Sequence, residues 1–211
     1  MPDAPPRRSA PYRVRTARLV LRCWEPDDAE ALRAAAAESR EHLLPWVSWA
    51  RDEPQTLDEK VALLRGFRAG FDRDEDYVYG AFEPDEGRIV GGTGLHRRVG
   101  PGGLETGYWV HRDHLRRGYA TEMAAAMTRV AFEHLRVERV VVQCDARNEA
   151  SIGVPVRLGF TREARLRRRA PSLTDERGDL LVFTLLADEY PTSPPASHEI
   201  EAYDVLGRRI I

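Results

Sequence analysis

The chain of 211 residues lacks several features that usually announce a protein class. It has only two cysteines, Cys23 and Cys144, too few for a disulfide framework and without the paired spacing of a zinc site. Both sit in strand-like segments, where a free thiol behaves as a small hydrophobe, so both are read as buried and reduced. No apolar run approaches the ~20 residues that a bilayer-crossing helix needs. The opening residues, MPDAPPRRSAPY, have no apolar stretch suited to a secretory signal. An excess of one charge is also missing. The 32 basic and 34 acidic side chains leave a net −2, so no global field recruits nucleic acid or a membrane surface. Together these absences point to a soluble, cytoplasmic protein. Lysine occurs once, at Lys60, so the arginine-rich stretches reflect a codon bias as much as a function.

At this length one domain with a substantial core is expected. The most informative stretch is 104–160. A short apolar strand over 104–110 runs into a basic turn containing Arg116, Arg117 and Gly118. A helix follows, with Met123, Ala126, Met127, Val130 and Ala131 at the three-to-four spacing of a buried face. The β-branched run Val140-Val141-Val142 reads as the next strand. Strand, glycine-bearing turn, helix and strand make a βαβ crossover, and its turn presents a helix N-terminus. Unpaired N–H groups and the positive end of the helix dipole suit phosphate there.

Residues 1–11, rich in Pro and Ala, are read as a disordered arm. A first strand is expected over 18–22, then a helix opening on Pro26, Asp27 and Asp28 and running to about Ser39. Trp46 and Trp49 stand in an aromatic loop, where they line an acceptor pocket or cap the core beneath. A second helix is expected from Thr56 to Phe71, with the acidic exit Asp72, Asp74, Glu75 and Asp76 as a solvated end or a lure for a cationic amine. Residues 77–82 and 88–96 read as a hairpin. The run Gly91-Gly92-Thr93-Gly94 lies inside its second strand, so it is read as a bulge or close packing rather than a dinucleotide fingerprint. Segment 162–169 reads as a strand whose arginines are solvated or hold an anion. Residues 180–186 are the last clear strand. Residues 191–211 are read as a linker and an apolar tail that docks on its own domain or on a second copy, which leaves a homodimer open.

This order of elements resembles the GNAT superfamily of N-acetyltransferases over about 12–190. The resemblance rests on Thr106-Gly107-Tyr108-Trp109-Val110, Gly118-Tyr119-Ala120-Thr121-Glu122, Asn148-x-x-Ser151 and Leu158-Gly159-Phe160. Leu44-Pro45-Trp46 and Asp188-Glu189-Tyr190 look like the RimJ/RimL branch of ribosomal-protein N-terminal acetyltransferases. The resemblance implies an α/β fold, with a mixed, mostly antiparallel sheet flanked by helices and a βαβ cofactor unit. It implies acetyl-CoA as cosubstrate, a primary amine on a small molecule or peptide as acceptor, and no metal. It also implies cofactor contacts from Trp109, Val110, Arg116, Arg117, Gly118, Tyr119, Ala120, Thr121, Asn148 and Ser151. One position departs from the superfamily's pyrophosphate signature: Leu115 stands where Gln or Arg is usual. Asn148 either contacts the pantetheine arm or simply caps the following helix.

Amide formation from a thioester needs a neutral amine, a partner for the carbonyl oxygen and a proton for the leaving thiolate. Glu105 is placed where many relatives carry the carboxylate that takes the amine's proton; its alternative is a surface strand residue. Backbone N–H near Trp109 or Val110 would polarise the carbonyl. The superfamily's helix tyrosine, a thiolate proton donor, is replaced here by Pro155, which shifts that role to Ser151 or a water and should kink or shorten the helix. His96, His111 and His114 are read as surface or packing residues. Two further readings use the same fold: a non-catalytic acyl-CoA-binding module, and transfer of another acyl group such as succinyl.

Overall fold

The apolar spacing at 123–131 forms helix α3 (Tyr119–Arg129), continued by one wider π-helical turn, Val130–His134. Met123, Ala126, Met127, Val130 and Ala131 are all fully buried. In this computed structural model, residues 8–170 and 177–211 are described. The other helices are α1 (Ala29–Leu43), α2 (Leu57–Asp72) and α4 (Glu149–Arg157). The strands are β1 (Arg13–Arg15), β2 (Val20–Cys23), β3 (Asp76–Phe82), β4 (Ile89–His96), β5 (Gly103–Val110), β6 (Arg139–Asp145), β7 (Thr161–Leu166), β8 (Leu180–Leu186) and β9 (Glu201–Tyr203).

These strands form one sheet in the order β7-β8-β6-β5-β4-β3-β2-β1-β9. The β5–β6 pair is parallel, as a βαβ crossover requires, and the other described neighbours are antiparallel. Alternation along β3 sorts the two faces. Tyr77, Tyr79 and Ala81 join the core built with α3 and α4, whereas Val78 and Phe82 join Trp24, Leu32 and Leu64 under α1 and α2. No helix among the described residues is long and apolar enough to cross a membrane.

Several boundaries differ from expectation. β1 precedes the strand expected first; three residues, Arg-Val-Arg, carry too little alternation to be read. Of the N-terminal arm, residues 1–7 lie outside the described residues. From Arg8 the chain packs on the fold, with Ala10 buried and the Pro11 carbonyl accepting the Tyr79 hydroxyl at 2.7 Å. The helix α1 runs on to Leu43, whose side chain is buried. The tail docks on its own domain: β9 pairs antiparallel with β1, which sets Ala202 beside Val14 in the core.

Helix α2 opens on a capping box. The Thr56 hydroxyl accepts the Glu59 N–H at 3.3 Å, and the Glu59 carboxylate accepts the Thr56 N–H at 2.8 Å. One turn later the only lysine, Lys60, is buried against the buried carboxylate of Glu53. The second Glu53 oxygen accepts the Gln55 N–H at 3.1 Å, and Arg40 Nε donates to the Glu53 carbonyl at 2.7 Å. The pair thus fastens the 48–56 segment to α2. Removing one partner strands a buried charge, so Lys60→Ala is expected to lower the unfolding free energy by about 3–5 kcal/mol. Urea denaturation checks this, and the apolar double substitution Glu53→Met with Lys60→Met should cost less than the single change.

Candidate active site

The site begins where two parallel strands separate. β5 and β6 pair only at Gly103↔Arg139, Leu104↔Val140 and Glu105↔Val141, although they continue to Val110 and Asp145. Beyond Glu105 a gap opens, and exposure follows it: 103–106 are buried and 107–110 half-buried. The His111 N–H donates to the Val90 carbonyl at 2.8 Å on the β4 side. By antiparallel alternation Trp109 and Gly107 also bond β4, so the N–H groups of Tyr108 and Val110 turn toward the gap. Of the two residues expected to polarise a carbonyl, Val110 therefore has its N–H there, and Trp109 offers its ring instead.

At the mouth of the gap lies the turn before α3. Arg116 and Gly118 both have left-handed backbone, with φ of +59° and +81°. The first helical bond is Glu122 N–H to the Gly118 carbonyl at 3.0 Å, and no side chain caps the helix. The N–H groups of 118–121 are therefore left for an external acceptor, as an anion nest requires. A Cβ on Gly118 would meet Arg18 only at 3.6 Å, an ordinary contact. The glycine is thus demanded by its φ rather than by crowding. Arg116 and Arg117 are exposed beside this turn.

Arg18 supports the turn from below, and nothing in the sequence pattern pointed to it. Its guanidinium donates to the Arg117 carbonyl at 2.9 Å and lies 4.6 Å from the Tyr119 ring centroid. It also donates to Glu122 at 2.7 Å, whose buried carboxylate accepts the Thr16 hydroxyl at 2.6 Å.

Asn148 caps α4: its side-chain oxygen accepts the Ser151 N–H at 3.1 Å, which leaves the amide NH₂ for a ligand. Pro155 lies within α4, and the helix runs past it to Arg157, so the expected shortening does not occur. Only one bond is lost, the one to the Ser151 carbonyl, because Pro155 has no N–H. The Tyr108 hydroxyl fills that vacancy at 3.1 Å and lies 3.4 Å from the Ser151 hydroxyl. Burial pushes the Tyr108 phenol and the Cys144 thiol up, the thiol to about 11.

The α1–α2 face of the gap holds the expected acceptor residues. The Trp49 and Trp109 rings meet edge-on at 5.6 Å, while Trp46 is half-buried in the turn after α1. Trp109 also explains two glycines: a Cβ on Gly92 would sit 2.5 Å from its indole nitrogen, and one on Gly91 2.1 Å from its carbonyl oxygen. The Gly91–Gly94 run is close packing. His42 Nε2 bonds the Val110 carbonyl at 3.0 Å. Glu105 is buried, and Arg98 clamps both its oxygens at 2.8 and 2.7 Å, with Gln143 adding a third donor at 3.3 Å. The acidic exit engages the N-terminal segment, Asp72 accepting from Tyr12 and Asp74 from Ser9. β7 is an edge strand with mostly exposed side chains, of which Arg165 pairs with Asp179 at 2.7 Å. His111 and His114 are buried packing residues. His111 Nε2 lies 3.2 Å from a Glu38 carboxylate oxygen, and its Nδ1 accepts the Asp113 N–H at 3.3 Å.

Residues 18–161 match the acetyltransferase (GNAT) domain family. The chain belongs to the GNAT acetyltransferases. YdaF of Bacillus subtilis, which bears the name of a ribosomal N-acetyltransferase, is 27% identical over 189 residues, covering 82% of this chain and 93% of that protein. The [ribosomal protein uS5]-alanine N-acetyltransferase of Escherichia coli K12 is 27% identical over 158 residues, 72% of this chain and 79% of its own. The fold is also that of RimL, a ribosomal L7/L12 alpha-N-protein acetyltransferase solved with coenzyme A. That likeness has a TM-score of 0.74 at 18% identity over 82% of this chain and 97% of RimL. The protein is therefore an acyltransferase of the class that draws acetyl groups from acetyl-CoA. The gap, the Gly118 turn and Asn148 each leave hydrogen-bond donors open to a ligand. The sequence pattern pointed to the Gly118 turn and to Asn148 but not to Arg18 or the Tyr108 hydroxyl; the missing N–H of Pro155 was the one signal that Ser151 needed an outside donor.

Both thiols are held protonated near neutral pH, since burial pushes Cys23 up to about 12 and Cys144 up to about 11. Iodoacetamide at pH 8 should label either one at least ~100-fold more slowly than a free cysteine, whose thiol titrates near 8.5. Intact-mass time courses read this directly.

Proposed function

We propose that this GNAT acetyltransferase acetylates a primary amine, with a peptide or protein N-terminus as the favoured acceptor, by direct attack within a ternary complex. The observation that carries the reading is the parting of β5 and β6 beside an uncapped helix N-terminus. The names of its relatives, which refer to ribosomal-protein acetylation, support the choice of acceptor.

In this reading the N–H groups of Gly118, Tyr119, Ala120 and Thr121 hold the pyrophosphate, with Arg116 and Arg117 adding charge. The Asn148 amide donates to the pantetheine arm. Tyr108 and Val110 N–H groups stabilise the charge that grows on the thioester oxygen. Ser151 delivers a proton to the departing sulfur, its backbone steadied by Tyr108. Trp46 and Trp49 flank the acceptor. Glu105 supplies a negative charge that favours the entering ammonium, and its hold on Arg98 keeps it fixed. That hold also leaves its oxygens little freedom to take a proton.

Gly118→Glu places a carboxylate in the anion nest and is expected to abolish acetyl-CoA binding, read by calorimetry. Gly118→Asn tolerates left-handed backbone and should retain most of the affinity. Wild type should release thiol from acetyl-CoA only when an amine is present. A well-folded wild type that binds the donor yet releases none across a broad peptide and small-amine panel would instead mark a binding module.

Ser151→Ala should lower kcat about 100-fold while leaving the KM for acetyl-CoA within about threefold, as expected for loss of a proton donor. Tyr108→Phe should shift kcat in the same direction by about tenfold. Steady-state kinetics with a peptide acceptor separates the two effects.

A further inference from the structure

On the acceptor face of β4 and β5 the register pairs His96 with Glu105, Gly94 with Gly107, and Gly92 with Trp109. The middle pair has no side chains, so a floor of bare backbone lies between an imidazole at one end and the Trp109 indole at the other. The His96 ring leans over this floor. A Cβ on Gly94 would sit 2.7 Å from His96 Nε2, and one on Gly107 would sit 3.9 Å from the same atom. Gly107 lies two residues beyond Glu105, the last residue paired with β6, and so already stands at the gap.

The other ring nitrogen is occupied. His96 Nδ1 and Asp76 Oδ1 are 2.6 Å apart across the β3–β4 pair, where the two residues are register partners. A carboxylate on Nδ1 fixes the proton there and leaves Nε2 with its lone pair. Nε2 has no protein partner among the described residues, and the ring is only 17% exposed. Of the charged groups around it, Arg98 is committed to Glu105, and Arg97 to the Asp74 carbonyl and the Tyr77 hydroxyl. Glu105, the carboxylate next to it, is engaged on both oxygens.

We infer that His96, oriented by Asp76, is the general base that deprotonates the acceptor amine. The inference rests on the transferase reading above. Nε2 takes one proton from the acceptor ammonium, and the freed lone pair forms the C–N bond to the acetyl carbon as the C–S bond breaks. The second proton on that nitrogen passes through the Ser151 hydroxyl to the leaving sulfur. His96 then returns its proton to water, so one amide, one thiol and one proton result. The bare Gly94–Gly107 floor gives the amine room to reach Nε2 and the β5 edge together.

The test is turnover of a peptide amine by His96→Ala and His96→Gln, with and without added imidazole, beside calorimetry of acetyl-CoA. Loss of a general base predicts a fall in kcat/KM of roughly 100-fold or more. Acetyl-CoA affinity should stay within about threefold, and imidazole should restore activity to His96→Ala, which leaves room for it, more than to His96→Gln. Asp76→Asn should show a smaller fall of the same kind. A loss under about fivefold, or a large loss that imidazole leaves untouched while acetyl-CoA still binds, overturns the assignment. Wild type that binds acetyl-CoA but acetylates no amine removes the transferase reading, and the inference with it. Active wild type with unaffected His96 variants removes the inference alone.

Discussion

A strand that loses its neighbour still carries its hydrogen-bonding groups, and the candidate active site is built on that fact. Backbone N–H groups in a protein interior need partners. Past Glu105, β5 keeps β4 on one side and has no strand on the other. Its donors at Tyr108 and Val110 are satisfied by water or by a ligand, and a thioester carbonyl is a suitable one. The same argument applies at the start of α3, where no side chain caps the helix and four N–H groups remain. These are two places of incomplete backbone pairing on either side of the same β5–α3 connection. The rest of the fold keeps them apart by a fixed amount. α3 packs its fully buried Met and Ala face on the sheet, and Arg18 ties the turn to the β1–β2 side through Glu122.

The same logic explains Pro155. A proline in a helix usually reads as damage, yet here it withholds one N–H from one carbonyl and so creates an acceptor at Ser151. Tyr108 meets that acceptor from across the gap. The bond ties β5 to α4 where the strands no longer touch, and it brings the Tyr108 hydroxyl within 3.4 Å of the Ser151 hydroxyl. The superfamily's tyrosine is absent from this position of the helix, and another tyrosine comes to the same neighbourhood from the strand.

What could be read in advance follows from the range of each interaction. The α3 face at 123–131 and the glycine at 118 are local patterns, with period 3.6 and a backbone need at one residue, and both are present as expected. The cap on α4 is likewise local, three residues from Asn148 to Ser151. By contrast, Arg18 and Glu122 are 104 residues apart, and Tyr108 and Ser151 are 43 apart. No spacing rule connects such pairs; they meet because strand order and register bring them together. β1 and β9 escaped notice for a related reason. Each has three residues; β9 is a strand only because β1 pairs with it, and β1 only because β2 and β9 flank it.

The glycines of β4 are the clearest case in which register turns an uninformative run into chemistry. In sequence, Gly91-Gly92-Thr93-Gly94 resembles a failed nucleotide motif. In the sheet each glycine is an absent side chain with a definite occupant: the Trp109 carbonyl over Gly91, its indole over Gly92, the His96 ring over Gly94. Gly107, across from Gly94, has its nearest neighbour at 3.9 Å and so stays open. A Cβ at 92 or 94 would collide with the ring above it, whereas one at 107 would shrink the bay between the two rings. Glycine at 92 and 94 therefore makes the walls possible and glycine at 107 keeps the floor clear. That division explains why a strand should accept the entropic cost of roughly 0.5–1 kcal/mol per glycine at several successive positions.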